Sequence, residues 1–289
     1  MEDCDPNRPH ILKNKTCVYC GLYLSRKSSS KEHVIGRKFL PKGKLENCWN
    51  LIANACSSCN NEKSILENDI SAITMQPTVS GQFAVNDEIL VAESLRKAEN
   101  CKSQLTNKLV KYSQESLDIN CTPFSGMTMN FKLTSSPQIE TDRLYKLARY
   151  HIKAFYYLLT FTKKDKKGMQ CAGAFMPLIE GIKTDWGNPV FIDFMNETSK
   201  WLPRLLTVTA DGFFKASIKE YKTKNLWSWA LEWNHKYRLV GFFGSPDPVS
   251  IICDNFAKLD RKYFKDNEGN LICMRKDTPL DEKSDSLFT

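Results

Sequence analysis

The chain of 289 residues has no long apolar run. Its longest apolar-looking stretch, Ala154 to Phe161, is broken by tyrosines and falls short of the roughly 20 residues a spanning helix needs. The opening MEDCDPNRPHILKNK is acidic, then basic, with no apolar core, so it does not read as a secretory signal. A soluble, cytoplasmic protein is therefore expected, with no membrane partner. Histidine is scarce, with four in the chain: His10, His33, His151 and His235. Internal repeats are absent. Neither charge dominates strongly: Lys plus Arg is 41 against 33 for Asp plus Glu, a formal net charge of +8. That excess suits a polyanionic partner, and a solvated basic surface explains it equally well. Hydrophobic residues at 42% exclude a disordered chain.

Cysteine, in contrast, is plentiful, at 11. The cytosol keeps thiols reduced, so closely spaced pairs there point to metal rather than to disulfides. Cys17-Val18-Tyr19-Cys20 and Cys56-Ser57-Ser58-Cys59 are two C-x2-C pairs about forty residues apart. Each pair can chelate from a tight turn, and together they predict a tetrahedral Cys4 zinc site. Gly21 and Asn60, just after the pairs, suit such knuckles. Four sulfurs leave no position for water or substrate, so this zinc is structural. It would hold a unit too small to fold on apolar burial alone. Cys48 reads as packing, and Cys4, Cys101, Cys121, Cys171, Cys253 and Cys273 as inert.

The organisation predicted is an α+β chain. Residues 1–15 read as a flexible leader and residues 16–75 as a small unit ending in a helix from Asn60, with Ile65, Leu66, Ile70 and Ile73 at helical spacing. A linker at about 74–82 contains Pro77 and Gly81. Asp87 is a candidate N-cap for a helix reaching about Ser113. Met127 to Thr134 alternates like a strand. Thr141 to Phe161 carries an apolar stripe of Leu144, Leu147, Ala148, Ile152 and Phe155 and predicts a firm helix. Strands are expected at 189–194, 205–208, 213–220, 226–233 and 237–243, the last two joined by a turn at Asn234-His235-Lys236. The tryptophans Trp186, Trp201, Trp227, Trp229 and Trp233 read first as core, with base stacking as the alternative. Residues 76–276 thus form a mixed α+β domain for recognition, regulation or oligomerisation, and 277–289 a loose polar tail.

Between the cysteine pairs lies a second set of polar residues in order. Glu32-His33-Val34 sits twelve residues after Cys20, and Asn50-Leu51-Ile52 follows. Asn60 and Lys63 come directly after Cys59. Of the four histidines, only His33 is framed in this way.

This segment, Cys17 to Lys63, resembles the HNH endonuclease family in its cysteine-bearing branch. The resemblance covers about 50 of the 289 residues. It implies a small N-terminal beta-beta-alpha metal finger stabilised by zinc, and a hydrolase that cuts DNA with Mg or Mn. By the same resemblance His33 is the general base, Glu32 the adjacent acidic metal ligand, and Asn60 the last metal ligand. Asn50 supports the loop carrying the histidine, and Lys63 touches phosphate. The acid is Glu where Asp is commoner, and the stretch from Asn50 to Cys56 is one residue longer than the family's form, so Asn54 is an alternative to Asn50; Asn61 is likewise an alternative to Asn60. Arg37, Lys38, Lys42 and Lys44 are candidates for a rim facing the duplex.

The residue types suit phosphodiester hydrolysis independently of the family. A neutral imidazole accepts a proton from water near pH 7. A divalent ion held by oxygen ligands polarises phosphate. The helix starting near Asn60 adds its positive end. Metal fingers of this size grip few phosphates and read little sequence, so the remaining residues are expected to recognise DNA, sense a partner or small molecule, or form a homodimer. An enzyme of restriction, antiviral defence or homing type fits this layout. RNA or single-strand cleavage by the same site, and a zinc-stabilised nucleic-acid-binding protein without activity, are the alternatives.

Overall fold

The computed structural model describes residues 5–25, 28–78, 80–124, 127–223, 225–258, 261–265, 269 and 271–289. Cys4, Arg26 and Lys27 lie outside the described residues, as does the side chain of Cys121. The architecture is α+β, with a cysteine cluster near the N-terminus and a larger helix-and-sheet region after it.

The N-terminal part is a three-stranded sheet and a helix. Strand β1 (His10–Ile11) runs parallel to β3 (Leu51–Cys56), and β2 (Ser29–His33) pairs antiparallel with the other edge of β3, giving the order β1-β3-β2. Helix α1 (Ser57–Thr74) leaves β3 directly and buries Leu66, Ile70 and Ile73. The residues read as a loose leader are therefore built into the sheet from His10 onward. Leu12 is buried, and Asn14 and Asn54 bond each other's backbone, Asn14 Oδ1 accepting from Asn54 N at 2.8 Å and Asn54 Nδ2 donating to Asn14 O at 2.9 Å.

Asp87 caps α2 (Glu88–Asn100), accepting from Leu90 N at 2.9 Å. The helix ends at Asn100, well before the expected Ser113. Strands β4 (Glu115–Phe124) and β5 (Met127–Ser135) form a hairpin. Helix α3 (Thr141–Leu159) follows, close to the span its stripe predicts.

The larger sheet has the order β6-β10-β9-β8-β7, all antiparallel. Its strands are β6 (Ala174–Ile182), β7 (Leu202–Thr209), β8 (Phe214–Tyr221), β9 (Leu226–Trp233) and β10 (Tyr237–Gly244). Every residue of β9 and β10 is buried, so the sheet is covered on both faces. Alternation along β9 sends Trp227, Trp229, Leu231 and Trp233 to one face, against α3 and the N-terminal part. Leu226 and Ala230 go to the other, with Val240 and Phe242 of β10, under α4 (Pro189–Thr198) and α5 (Pro246–Asp254). Asn234 and His235 take positive φ of 52° and 55° in the tight turn between β9 and β10. All five tryptophans considered for base stacking are buried.

Two further expectations are corrected, and two elements are new. Residues 189–194 are helical: Asn188 accepts from Phe191 N at 3.2 Å and Pro189 opens the helix, a start signal that outweighs a short apolar run. Strand β6 and helix α5 were not anticipated. The polar tail is docked: Leu287 is buried, Asp285 pairs with Arg238, and Thr278 bonds Gly187 and Thr184. Two further short strands, β11 (Lys262–Lys265) and β12 (Leu271–Met274), pair near the end of the chain.

One hydrophobic core joins the two parts. Val18, Phe39 and Trp49 share a cluster with Phe155, Phe214 and Trp233. No described helix is long and apolar enough to cross a membrane.

Candidate metal centre and the site beside it

The two cysteine pairs converge from a turn and a helix start. Cys17 and Cys20 flank a tight turn closed by Gly21 N donating to Cys17 O at 3.0 Å and Cys17 N to Leu22 O at 2.7 Å. Gly21 has φ of 76°, a conformation that glycine adopts without steric cost. Cys56 is the N-cap of α1, and Cys59 sits in its first turn. The four sulfurs lie within 4.8 Å of one another, and Cys20 Sγ is 3.8 Å from Cys56 Sγ. A tetrahedron with Zn–S of about 2.3 Å has an edge of about 3.8 Å, so the set fits zinc. Backbone amides also face the sulfurs: Tyr19 N and Cys56 N donate to Cys17 Sγ at 3.4 and 3.3 Å. Burial pushes the Cys17 thiol up to about 11. A bound dication would reverse that cost by pairing with the thiolates. No disulfide joins the described cysteines. Among the described residues this is the one group of three or more His, Cys, Asp or Glu side chains within ligating reach.

The residues between the pairs are placed by β2, β3 and α1. Alternation along β2 puts Lys31 and His33 on one face and Ser30 and Glu32 on the other. His33, Glu32 and Asn60 therefore do not converge as a ready catalytic triad. His33 is half-buried at the end of β2, opposite Ile52. Burial, with repulsion from Arg37 and Lys31, pushes its imidazole below the ordinary 6.5.

Glu32 is 4% exposed. Its Oε1 accepts from Tyr19 Oη at 2.9 Å and faces Lys63 Nζ at 2.9 Å. Asn60 lies on the same side, with Nδ2 donating to Ser30 Oγ at 3.0 Å, while Asn61 is exposed. Asn50 holds the backbone after His33: its Oδ1 accepts from Ile35 N at 3.1 Å and its Nδ2 donates to Ile35 O at 2.8 Å. Asn54 is taken up by Asn14, which leaves that support to Asn50.

Lys63 departs most from expectation. At 1% exposed it does not reach the surface to touch phosphate. Its Nζ lies between Glu32 and Glu67, 2.6 Å from Glu67 Oε1, and also donates to His33 O at 3.4 Å. Burial alone would push this ammonium down, but the two carboxylates outweigh that effect and hold it up. Lys44, expected on the rim, instead pairs with Asp87 and Asp211. Arg37, Lys38 and Lys42 are exposed.

Glu67 escaped the sequence reading. Its Oε1 accepts from Gly36 N at 3.1 Å, so it holds the loop after His33 from below, as Asn50 does from the side. A Cβ at Gly36 would meet Glu67 Oε2 at 2.4 Å, so a larger residue there would push the Glu67 carboxylate from its place against the loop. The signal was present: Lys63 and Glu67 are four apart on a helix, the spacing of an intrahelical ion pair. Tyr19 was hidden as a spacer inside the first C-x2-C pair.

No protein-family model, curated protein or solved structure matches the chain.

Proposed function

We propose that this chain is an HNH-type endonuclease that hydrolyses phosphodiester bonds of DNA, with His33 as general base. One observation carries the reading. His33 is a half-buried imidazole held below its ordinary pKa at a strand end, and Asn50 and Glu67 fasten the loop behind it. A ring kept neutral at pH 7, on a strand end whose following loop is anchored, suits proton abstraction from water. Zinc on Cys17, Cys20, Cys56 and Cys59 is the structural clip of this unit.

A catalytic Mg or Mn would be held by Glu32 and Asn60, on the face of β2 opposite His33, so joint action with His33 on one phosphate would require Glu32 to leave Lys63 and turn toward His33. Tyr19 and Lys63 both meet Glu32 at Oε1, and Asn60 spends Nδ2 on Ser30, so Oε2 and Oδ1 are the oxygens proposed for it. These are hard oxygen donors of the kind Mg prefers, and the ion would stabilise charge on phosphate and on the leaving oxygen. Until that turn Lys63 holds Glu32 from behind rather than contacting phosphate. Double-strand cutting would call on a homodimer, and the sheet-and-helix part is proposed to recognise DNA or an activating partner in restriction or antiviral defence.

A second reading draws on the same Glu32. Its carboxylate is already neutralised by Lys63, as suits a zinc-stabilised nucleic-acid-binding module without catalysis.

The test is incubation with supercoiled plasmid under Mg, Mn or EDTA, beside His33→Ala, with RNA and single-stranded DNA in parallel. Cleavage that needs both the ion and His33, and that rises with pH through a midpoint below 6.5, supports the nuclease. Equal cleavage by His33→Ala sinks His33 as base. Binding without cleavage of any substrate favours the module.

A further inference from the structure

The face of the three-stranded sheet turned away from α1 carries a concavity of about 280 Å³. Ile11, Lys13, Asn14, Lys31, Ile52 and Asn54 are among its lining residues. The strand register explains this grouping. Ile52 pairs with Ile11 on one side and with His33 on the other, so these three residues form a row across the sheet. Asn54 pairs with Lys31 in the next row along β3. Since side chains two apart on a strand share a face, Lys31 and His33 project together. The concavity is therefore continuous with the face that carries His33.

Its chemistry is divided. The floor is apolar, from Ile52 and the exposed Ile11. The wall is rigid, because Asn14 donates to Thr16 O and Asn54 O while Asn54 bonds Asn14. The cations are Lys13 and Lys31, both exposed. Neither forms an ion pair with a described residue, whereas Lys44 and Lys63 nearby in sequence are consumed by carboxylates.

We propose that this concavity is a subsite for the sugar–phosphate backbone of a nucleic-acid strand on its way to His33. Lys13 and Lys31 hold phosphates, and a sugar packs on the Ile11–Ile52 floor. Charge complementarity selects the occupant: two cations with no ion pair among the described residues, beside a small apolar floor, match an alternating anionic and apolar polymer. Such contacts position a strand without reading its sequence. The inference rests on the nucleic-acid part of the function proposed above, and not on catalysis.

The experiment is fluorescence anisotropy with a labelled 16-nucleotide DNA, single-stranded and as duplex, with no divalent ion added. It is run on the full-length zinc-loaded protein in the His33→Ala background, so cleavage does not enter. Lys13→Glu with Lys31→Glu is compared with Lys200→Glu and Lys222→Glu, which make the same charge change at exposed positions elsewhere. The first pair is expected to weaken binding of at least one form tenfold or more beyond the second. The salt dependence should fall by roughly 1.4 to 1.8 in log–log slope, as the loss of two phosphate contacts requires. Should the Glu pair fail to fold by far-UV CD, Lys13→Gln with Lys31→Gln replaces it under the same criterion. Equal losses in the two pairs would reduce the effect to overall charge and overturn the subsite. Absence of binding by either DNA form, or displacement of DNA by an acidic peptide but not by excess unlabelled DNA, would also overturn it. A protein that binds through these lysines yet never cleaves would keep the subsite and lose the nuclease.

Discussion

Lys63 and Glu32 form a buried ion pair, Nζ to Oε1 2.9 Å, that ties the first turns of α1 to the strand carrying His33. Lys63 also holds Glu67, which in turn holds Gly36 N. One ammonium thus organises two carboxylates beneath the loop. Lys63→Met would leave both without a cation in a buried setting. Breaking a buried pair from one side costs about 3–5 kcal/mol. Urea unfolding of Lys63→Met should show a loss of that order, and Glu32→Gln added to it should recover part of the loss. A midpoint within error of wild type would remove Lys63 from this role.

Asn50 makes two hydrogen bonds to one residue, Ile35, from a site 2% exposed. Asn50→Ala leaves a buried N–H and a buried C=O unmatched, at about 1–3 kcal/mol each. Hydrogen exchange at the Ile35 amide should rise at least tenfold, with the zinc content unchanged. Unaltered protection at Ile35 would show that the clamp is dispensable.

The cysteine set predicts one zinc per chain. Cys59→Ser should lose it by elemental analysis. Because the N-terminal part shares its core with α3 and the large sheet, the damage should spread beyond residue 75. A fall in Tm of about 10 °C or more is expected, at ~2–4 °C per kcal/mol for a chain of this size class. Retained zinc with an unchanged melting curve would contradict the Cys4 assignment.

His151 gives the chain an acid-sensitive core. The ring is fully buried, with the Phe39, Phe214 and Trp233 rings 5.7, 5.2 and 5.5 Å away, and with Glu67 Oε1 3.9 Å from Nε2. Burial, then repulsion from Lys63, holds it well below the ordinary 6.5. The unfolded chain therefore takes up this proton as pH falls below 6.5 while the folded chain does not. Stability is present above 6.5 and declines below it, by up to about 1.4 kcal/mol per pH unit, until the folded pKa is reached. His151→Phe should flatten the dependence of unfolding free energy on pH between 6.5 and 5 by about one proton. An unchanged slope would mean that the acid sensitivity lies elsewhere.

Some elements were readable from local rules. Asp87 begins α2 because its carboxylate meets a free amide three residues on. The stripe of α3 and the aromatic alternation of β9 and β10 depend on periods of 3.6 and 2 alone. Other elements were misread because a local signal had two meanings. Residues 189–194 are apolar enough for a strand, yet Asn188 and Pro189 start a helix. The tail is polar in sequence, and its docking rests on Asp285 finding Arg238, 47 residues earlier.

The same division runs through the candidate site. The sequence by itself determined the chelating pairs, since two C-x2-C turns are local geometries, and the order Glu32, His33, Asn50, Asn60, Lys63. Tertiary structure alone decided where these side chains point. Pairing of β2 with β3 sends Glu32 and His33 to opposite faces, and packing of α1 on that sheet buries Lys63 between Glu32 and Glu67. Only the fold brings Asn50 to Ile35 and Lys13 to Lys31. Those contacts depend on strand register and on exclusion of water from the interface between sheet and helix, and both are properties of segments distant in the chain.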